Sequence, residues 1–264
     1  MFLPTTIKEV RERGWDQLDV IFFSGDAYID HPAFGAAVVG RLLEAEGYRV
    51  AIVPQPNWRD DLRDFTKLGV PRLFFGVSGG SMDSMVNHYT ANLRLRHDDA
   101  YTPGGKAGFR PDHAVTVYSQ LLKRLYPHVP VVIGGIEASL RRLTHYDYWS
   151  DALKPSILAD SGADLLIYGM GERVVQEVAR AMRNGYNAKL LRKIRQVAFL
   201  SDENYVARLD PATTIRLNSY EECLRSKAAF GENFKVIETQ SNLMEPEATL
   251  VEAVGDRYTV VTPA

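Results

Sequence analysis

Four stretches of the chain bring glycine together with hydroxyl, carboxylate or imidazole groups at spacings that suit chemistry. In Ser24-Gly25-Asp26-Ala27-Tyr28-Ile29-Asp30-His31-Pro32 an imidazole follows two carboxylates within one short turn. Such a set could contact a metal or ligand, or work as a general acid–base pair. It equally suits a network in which Asp30 caps the helix that Pro32 opens. Ser78-Gly79-Gly80-Ser81-Met82-Asp83 offers hydroxyls and backbone amides that favour an anion at a helix start. It has neither the Gly-Lys-Ser/Thr of a P-loop nor Gly-x-Gly-x-x-Gly, and a tight turn packed under a neighbouring loop is the competing reading. Ile133-Gly134-Gly135-Ile136-Glu137-Ala138-Ser139 lets a ligand or another backbone approach closely. Tyr168-Gly169-Met170-Gly171-Glu172 sets a carboxylate where a helix dipole stabilises it. The candidate cofactor-binding residues are therefore His31, Ser78, Gly79, Gly80, Gly134, Gly135, Glu137, Gly169 and Glu172; no catalytic or metal-ligating residue is assigned.

Turns so far apart in the chain can act together only on a scaffold that gathers them at one edge. Residues 19–25 form a continuous apolar run ending in glycine, and Phe34, Val38, Val39, Leu42 and Leu43 recur with helical spacing over 32–46. The unit repeats: strands over 48–53, 72–77, 129–133 and 164–168 alternate with helices over 57–67, opened by Asn57, 112–126 and 172–183. Runs without polar alternation are those of strands buried on both faces. The pattern predicts an α/β fold: a doubly wound, mainly parallel five-stranded Rossmann-like or flavodoxin-like sheet over 1–200, with a small C-terminal α+β extension over 201–264. The extension reads as a strand over 213–217, a helix over 219–230 capped by Asn218, and a hairpin in which Gly255-Asp256 joins 250–254 to 257–261. Residues 88–110 are polar, include Pro103-Gly104-Gly105, and are too long for an ordinary connection; they read as an ordered functional loop or interface element. In a doubly wound sheet, ligands bind outside the carboxyl ends of the strands, where the four turns lie.

Composition narrows the function classes. The chain has 264 residues, 45% hydrophobic and 24% charged, enough for a substantial core. Its formal net charge of -2 gives no strong nucleic-acid signal. Neither a signal-peptide pattern nor a membrane-spanning run is visible, and the chain reads as cytoplasmic. Cys223 is its single cysteine, which excludes an intrachain disulfide and any multi-cysteine metal or cluster site made by this chain alone.

The ordered series Ser78, Gly134-Gly135 and Gly169-Met170-Gly171-Glu172 resembles the cobalamin-binding-like domain that precedes many radical S-adenosylmethionine (radical SAM) enzymes. Residues 23–32, 132–142 and His145-Tyr146-Asp147-Tyr148-Trp149 are similar, more closely, to the YgiQ family of radical SAM proteins, and the resemblance covers essentially the whole chain. It implies a Cys-x-x-x-Cys-x-x-Cys segment holding a [4Fe–4S] cluster that cleaves S-adenosylmethionine, placed beyond an N-terminal domain. This chain has no such segment. The resemblance thus implies an accessory N-terminal portion whose partner is the radical SAM barrel of the same intact chain. The extension would lead into that barrel, and its hairpin would pair with structure beyond. The base-off cobalamin signature Asp-x-His-x-x-Gly is altered to Asp30-His31-Pro32-Ala33-Phe34-Gly35, which sets cobalt ligation by His31 in doubt and makes cobalamin doubtful, while base-on binding without a protein ligand stays open.

Two further readings stand beside this one: a non-catalytic Rossmann-like interaction module, and an independent nucleotide-binding or hydrolytic enzyme using His31, Ser78 and Glu137. The substrate, reaction and oligomeric state are not encoded in any motif of the chain.

Overall fold

Apolar residues at successive positions of a strand alternate between its two faces, and a run such as Val20-Ile21-Phe22-Phe23 therefore demands cover on both sides. The computed structural model, which describes residues 2–28, 34–185 and 191–264, supplies that cover. In chain order the elements are α1 (Ile7–Glu12), β1 (Val20–Ser24), α2 (Gly35–Ala45), β2 (Val50–Pro54), α3 (Arg63–Thr66), β3 (Phe74–Ser78), α4 (Ser84–His88), α5 (Ala114–Leu125), β4 (Val131–Gly134) and α6 (Gly135–Leu140). They continue with β5 (His145–Asp147), β6 (Ala152–Lys154), α7 (Ile157–Ser161), β7 (Leu165–Ile167), α8 (Glu172–Arg183), β8 (Val197–Ser201) and α9 (Glu203–Val206). The last are β9 (Thr214–Arg216), α10 (Tyr220–Arg225), α11 (Lys227–Ser241), β10 (Thr249–Val254) and β11 (Arg257–Val261).

The five expected parallel strands lie in the order β2-β1-β3-β4-β7, with Val20 paired to Val50 on one side and Phe74 on the other. Ile21, Phe23, Phe75, Val77, Val131 and Ile133 face the side covered by α5, where Tyr118 and Leu122 fill the core. Val20, Phe74, Val132, Leu165 and Ile167 face the other side, against Val174, Val175 and Val178 of α8, which packs beside α2. With both faces dry, polar alternation is lost.

The sheet is larger than expected, with nine strands in the order β2-β1-β3-β4-β7-β8-β11-β10-β9. β8 pairs antiparallel to β7 and offers its other edge to β11. The hairpin of β10 and β11, joined at Gly255-Asp256 as the sequence predicts, is therefore covered by β8 on one side and β9 on the other. The expectation that it pairs with structure beyond the chain is corrected. Val197-Ala198-Phe199-Leu200 is an apolar run like those of β1 and β4, but it lies outside the strand–helix alternation that marks the five parallel strands. What makes it a strand is the edge of β7 and the waiting β11.

Two helices also differ. Over 57–67 only Arg63–Thr66 is helical, because Asn57, Asp60 and Asp61 accept from the backbone N–H groups two residues on and turn the chain instead. The helix expected over 219–230 is two helices, capped by Ser219 and Ser226. Asn218 caps neither; its side chain donates to the Ala229 carbonyl.

Candidate functional site

Because β1, β3, β4 and β7 are parallel, their carboxyl ends open on one edge, and a cavity of about 370 Å³ lies there between the sheet and the starts of α2 and α8. Ser78, Gly134, Gly135, Gly169 and Glu172 all line it, so the structure brings together five of the candidate residues. The rest of the wall is mainly apolar: Phe22, Phe74, Val77, Val132, Ile167 and Val175 among others. Neither α2 nor α8 has a side-chain N-cap, since Phe34 and Gly171 hold those positions. A mainly apolar lining of this kind suits an apolar group. His31 lies outside the described residues.

Gly79, Gly80 and Glu137 stand behind this wall. At Gly80, φ is +106° and a side chain would collide with the Asp26 carboxylate. That carboxylate accepts the Ser81 N–H at 2.6 Å, and the Gly80 N–H goes to Ser78 Oγ at 3.2 Å. The anion held by this turn is thus the protein's own Asp26. Gly135, at φ +82°, lets the turn after β4 pass Ser78; a Cβ there would lie 2.7 Å from Ser78 Oγ.

Glu137 is fully buried and committed: Oε1 accepts from Val115 N–H at 2.9 Å, and Oε2 from Ser84 N–H at 2.9 Å and from the Ser84 hydroxyl. Ser84 Oγ in turn accepts from Ala114 N–H at 3.1 Å. One carboxylate of α6 thereby accepts one backbone N–H from the first turn of each of α4 and α5, groups that have no intrahelical partners. Beside it, Arg141 pairs with Asp83, the N-cap of α4. Burial pushes the Asp83 carboxyl upward, but the hydrogen bond and charge of Arg141 outweigh it and hold it below the usual range.

Arg110 has no motif to announce it and escaped the sequence reading. It is sealed from solvent, with Nη2 2.8 Å from Asp26, Nε 3.2 Å from Asp99, and Nη1 donating to the Gly79 carbonyl at 2.9 Å. The 88–110 segment, pinned by bridges between Tyr89 and Leu95 and between Asp98 and Lys106, is thus an ordered strap. Its terminal arginine clamps the turns after β1 and β3.

A family model described as radical SAM N-terminal matches residues 2–264. The chain belongs to the radical SAM N-terminal family. Within it, the chain is 60% identical to a UPF0313 protein of Porphyromonas gingivalis, over 99% of this chain and 41% of the relative. It is 57% identical to one of Bacteroides thetaiotaomicron (99% and 44%) and 48% identical to one of Geobacter sulfurreducens (99% and 42%). This radical SAM N-terminal chain therefore spans less than half the length of these curated relatives. Among solved structures it is similar to the radical S-adenosylmethionine methyltransferase TsrM of Kitasatospora setae, determined with tryptophan substrate and a SAM analogue. The identity is 19% and the TM-score 0.44, covering 68% of this chain and 28% of that one. A second TsrM structure, with cobalamin and a [4Fe–4S] cluster bound, aligns at 19% identity and TM-score 0.45, covering 68% and 26%. Among the described residues of this family member, no helix is long and apolar enough to cross a membrane.

The residues present do not fit an iron–sulfur cluster. Cys223 is the one thiol; it is buried, takes a hydrogen bond from Asn233 Nδ2 at 3.3 Å, and its burial, with Glu252 and Glu222 nearby, pushes its pKa up to about 11. A cluster needs several thiolates at one point.

Proposed function

We propose that this chain is the accessory N-terminal part of a radical SAM, [4Fe–4S]-dependent enzyme, and that its apolar cavity receives part of the substrate or cofactor on which the radical SAM part acts. Two observations support the reading together: a family match spanning residues 2–264 and a chain with one buried thiol. The cluster and S-adenosylmethionine then belong to the remainder of a full-length member. The chain's own residues brace the wall from behind: the Asp26–Arg110–Asp99 clamp holds the turns after β1 and β3, and Glu137 ties the starts of α4 and α5 to α6.

Cobalamin is a weak candidate for the cavity. The spacing around His31 departs from the base-off signature, which leaves only base-on binding without a protein ligand. Titration with hydroxocobalamin, followed by visible absorption, is expected to give little or no complex. A micromolar complex whose spectrum changes in His31→Ala would reverse this.

The main test is anaerobic reconstitution with iron and sulfide of this chain and of a full-length polypeptide carrying it. The full-length protein is expected to hold a cluster and cleave S-adenosylmethionine reductively, and the 264-residue chain to do neither. A cluster at one per chain that survives desalting in the short form would overturn the reading.

A further inference from the structure

The cavity at the strand ends adjoins a second one, of about 460 Å³, with Gly169 and Met170 lining both. Large apolar side chains are exposed along this double groove: Phe34 (65%) and Val38 (42%) at the first cavity, Met170 (78%) between them, and Leu243 (48%) and Met244 (100%) at the second. These five exposed apolar side chains line two cavities that meet at Gly169 and Met170. Polar groups beneath it are also left without partners. Arg142 Nε and Gln240 Oε1 are buried yet make no hydrogen bond, although both residues line the second cavity.

We propose that this face is where the radical SAM part of a full-length member docks against the chain. The proposal rests on the function read above and adds the place of contact. Two facts favour this occupant over others. The curated relatives carry more than half their length outside the matched region, so a large covalently attached body is available. Pro263 and Ala264 form part of the second cavity's wall, so a segment following Ala264 starts on the groove and reaches it without crossing the sheet. Attachment makes docking intramolecular, and a face of modest area can then stay closed. Met170 and Met244, flexible, polarizable and exposed, would adapt to the relief of a docked surface.

The two methionines supply the readout. Dilute hydrogen peroxide converts exposed Met to its sulfoxide, and peptide mass spectrometry gives the rate at each position; buried Met85 serves as the slow reference. In the 264-residue chain Met170 and Met244 are expected to oxidise fast. In a full-length polypeptide carrying the chain, both should slow on the order of tenfold, independently of protein concentration. Unchanged rates at the two positions overturn the proposal. Protection that appears only as concentration rises overturns it in favour of a second copy. Iron–sulfur absorbance of the same full-length sample is read separately: its absence removes the functional reading, and cluster-bearing protein with unprotected methionines removes only the docking face.

Discussion

The guanidinium of Arg110 lies 2.8 Å from the Asp26 carboxylate, with both side chains closed off from water. Arg110 stands at the end of the 88–110 strap and Asp26 in the turn after β1, so this pair ties a long insertion to the edge on which the cavity opens. Asp99 and the Gly79 carbonyl complete the arginine's surroundings. Arg110→Met keeps much of the volume but leaves two buried carboxylates without their cation. A loss of about 3–5 kcal/mol in urea unfolding is expected, little relieved by salt. A loss under about 1 kcal/mol would mean that the clamp is not closed in solution.

Gly80→Ala tests the same corner from the backbone side. At φ +106° the new methyl meets Asp26, whereas at Gly108, φ +90°, nothing lies within 4 Å. Both substitutions carry the left-handed backbone cost of about 1 kcal/mol; Gly80→Ala should cost at least about 2 kcal/mol more, through displacement of Asp26. Equal losses from the two variants would show that the turn has room to relax.

The carboxyl of Glu252, at 0% exposure on β10, is pushed up to about 7, chiefly by burial and slightly by Glu221, against the hydrogen bond from the Thr144 backbone N–H at 2.8 Å. Its folded pKa lies above the unfolded one, so folding favours the protonated form. Stability on this account is full below about pH 4.5, falls as the unfolded chain ionises, and reaches its whole loss above about pH 7, on the order of 3 kcal/mol. Urea midpoints between pH 5 and 8 should fall in the native protein, and the fall should be smaller in Glu252→Gln. Parallel curves for the two would place the pH dependence elsewhere.

Cys223 gives a chemical prediction. With its thiol near pKa 11, about one molecule in a thousand is thiolate at pH 8, and the sulfur is buried as well. Ellman's reagent should therefore react only as fast as the native fold opens, and at once in denaturant. Rapid labelling of the folded chain would show that α10 is loosely held.

Cavity occupancy can be probed at Val38, which lines the groove from the exposed side of α2. Val38→Trp should fill part of the cavity with little change in stability, under about 1 kcal/mol. In a full-length member it should slow reductive S-adenosylmethionine cleavage while leaving iron content and the protection of Met244 from oxidation unchanged. Unaltered cleavage would argue that no ligand enters this cavity.

Much of the fold was legible because its cause is local. Val20-Ile21-Phe22-Phe23 and Val131-Val132-Ile133 are apolar at every position, and only a strand covered on both faces has use for that. The chain order of those strands then puts Ser78, Gly134, Gly135 and Gly169 at one edge, where they line one cavity. Gly255-Asp256 likewise announces its hairpin through turn chemistry alone. Other features depend on partners distant in the chain. Val197–Ser201 becomes β8 because β7 and β11 offer it edges on both sides. Glu137 looks like a ligand residue until the starts of α4 and α5 converge on it, and Arg110 resembles any loop arginine until Asp26 and Asp99 close around it. Periodicity and turn residues act over a few positions and are written in the sequence. The pairing of a buried charge or a strand edge is decided only when the packed chain brings its counterpart within hydrogen-bonding distance, because there alone does leaving it unpaired cost several kcal/mol.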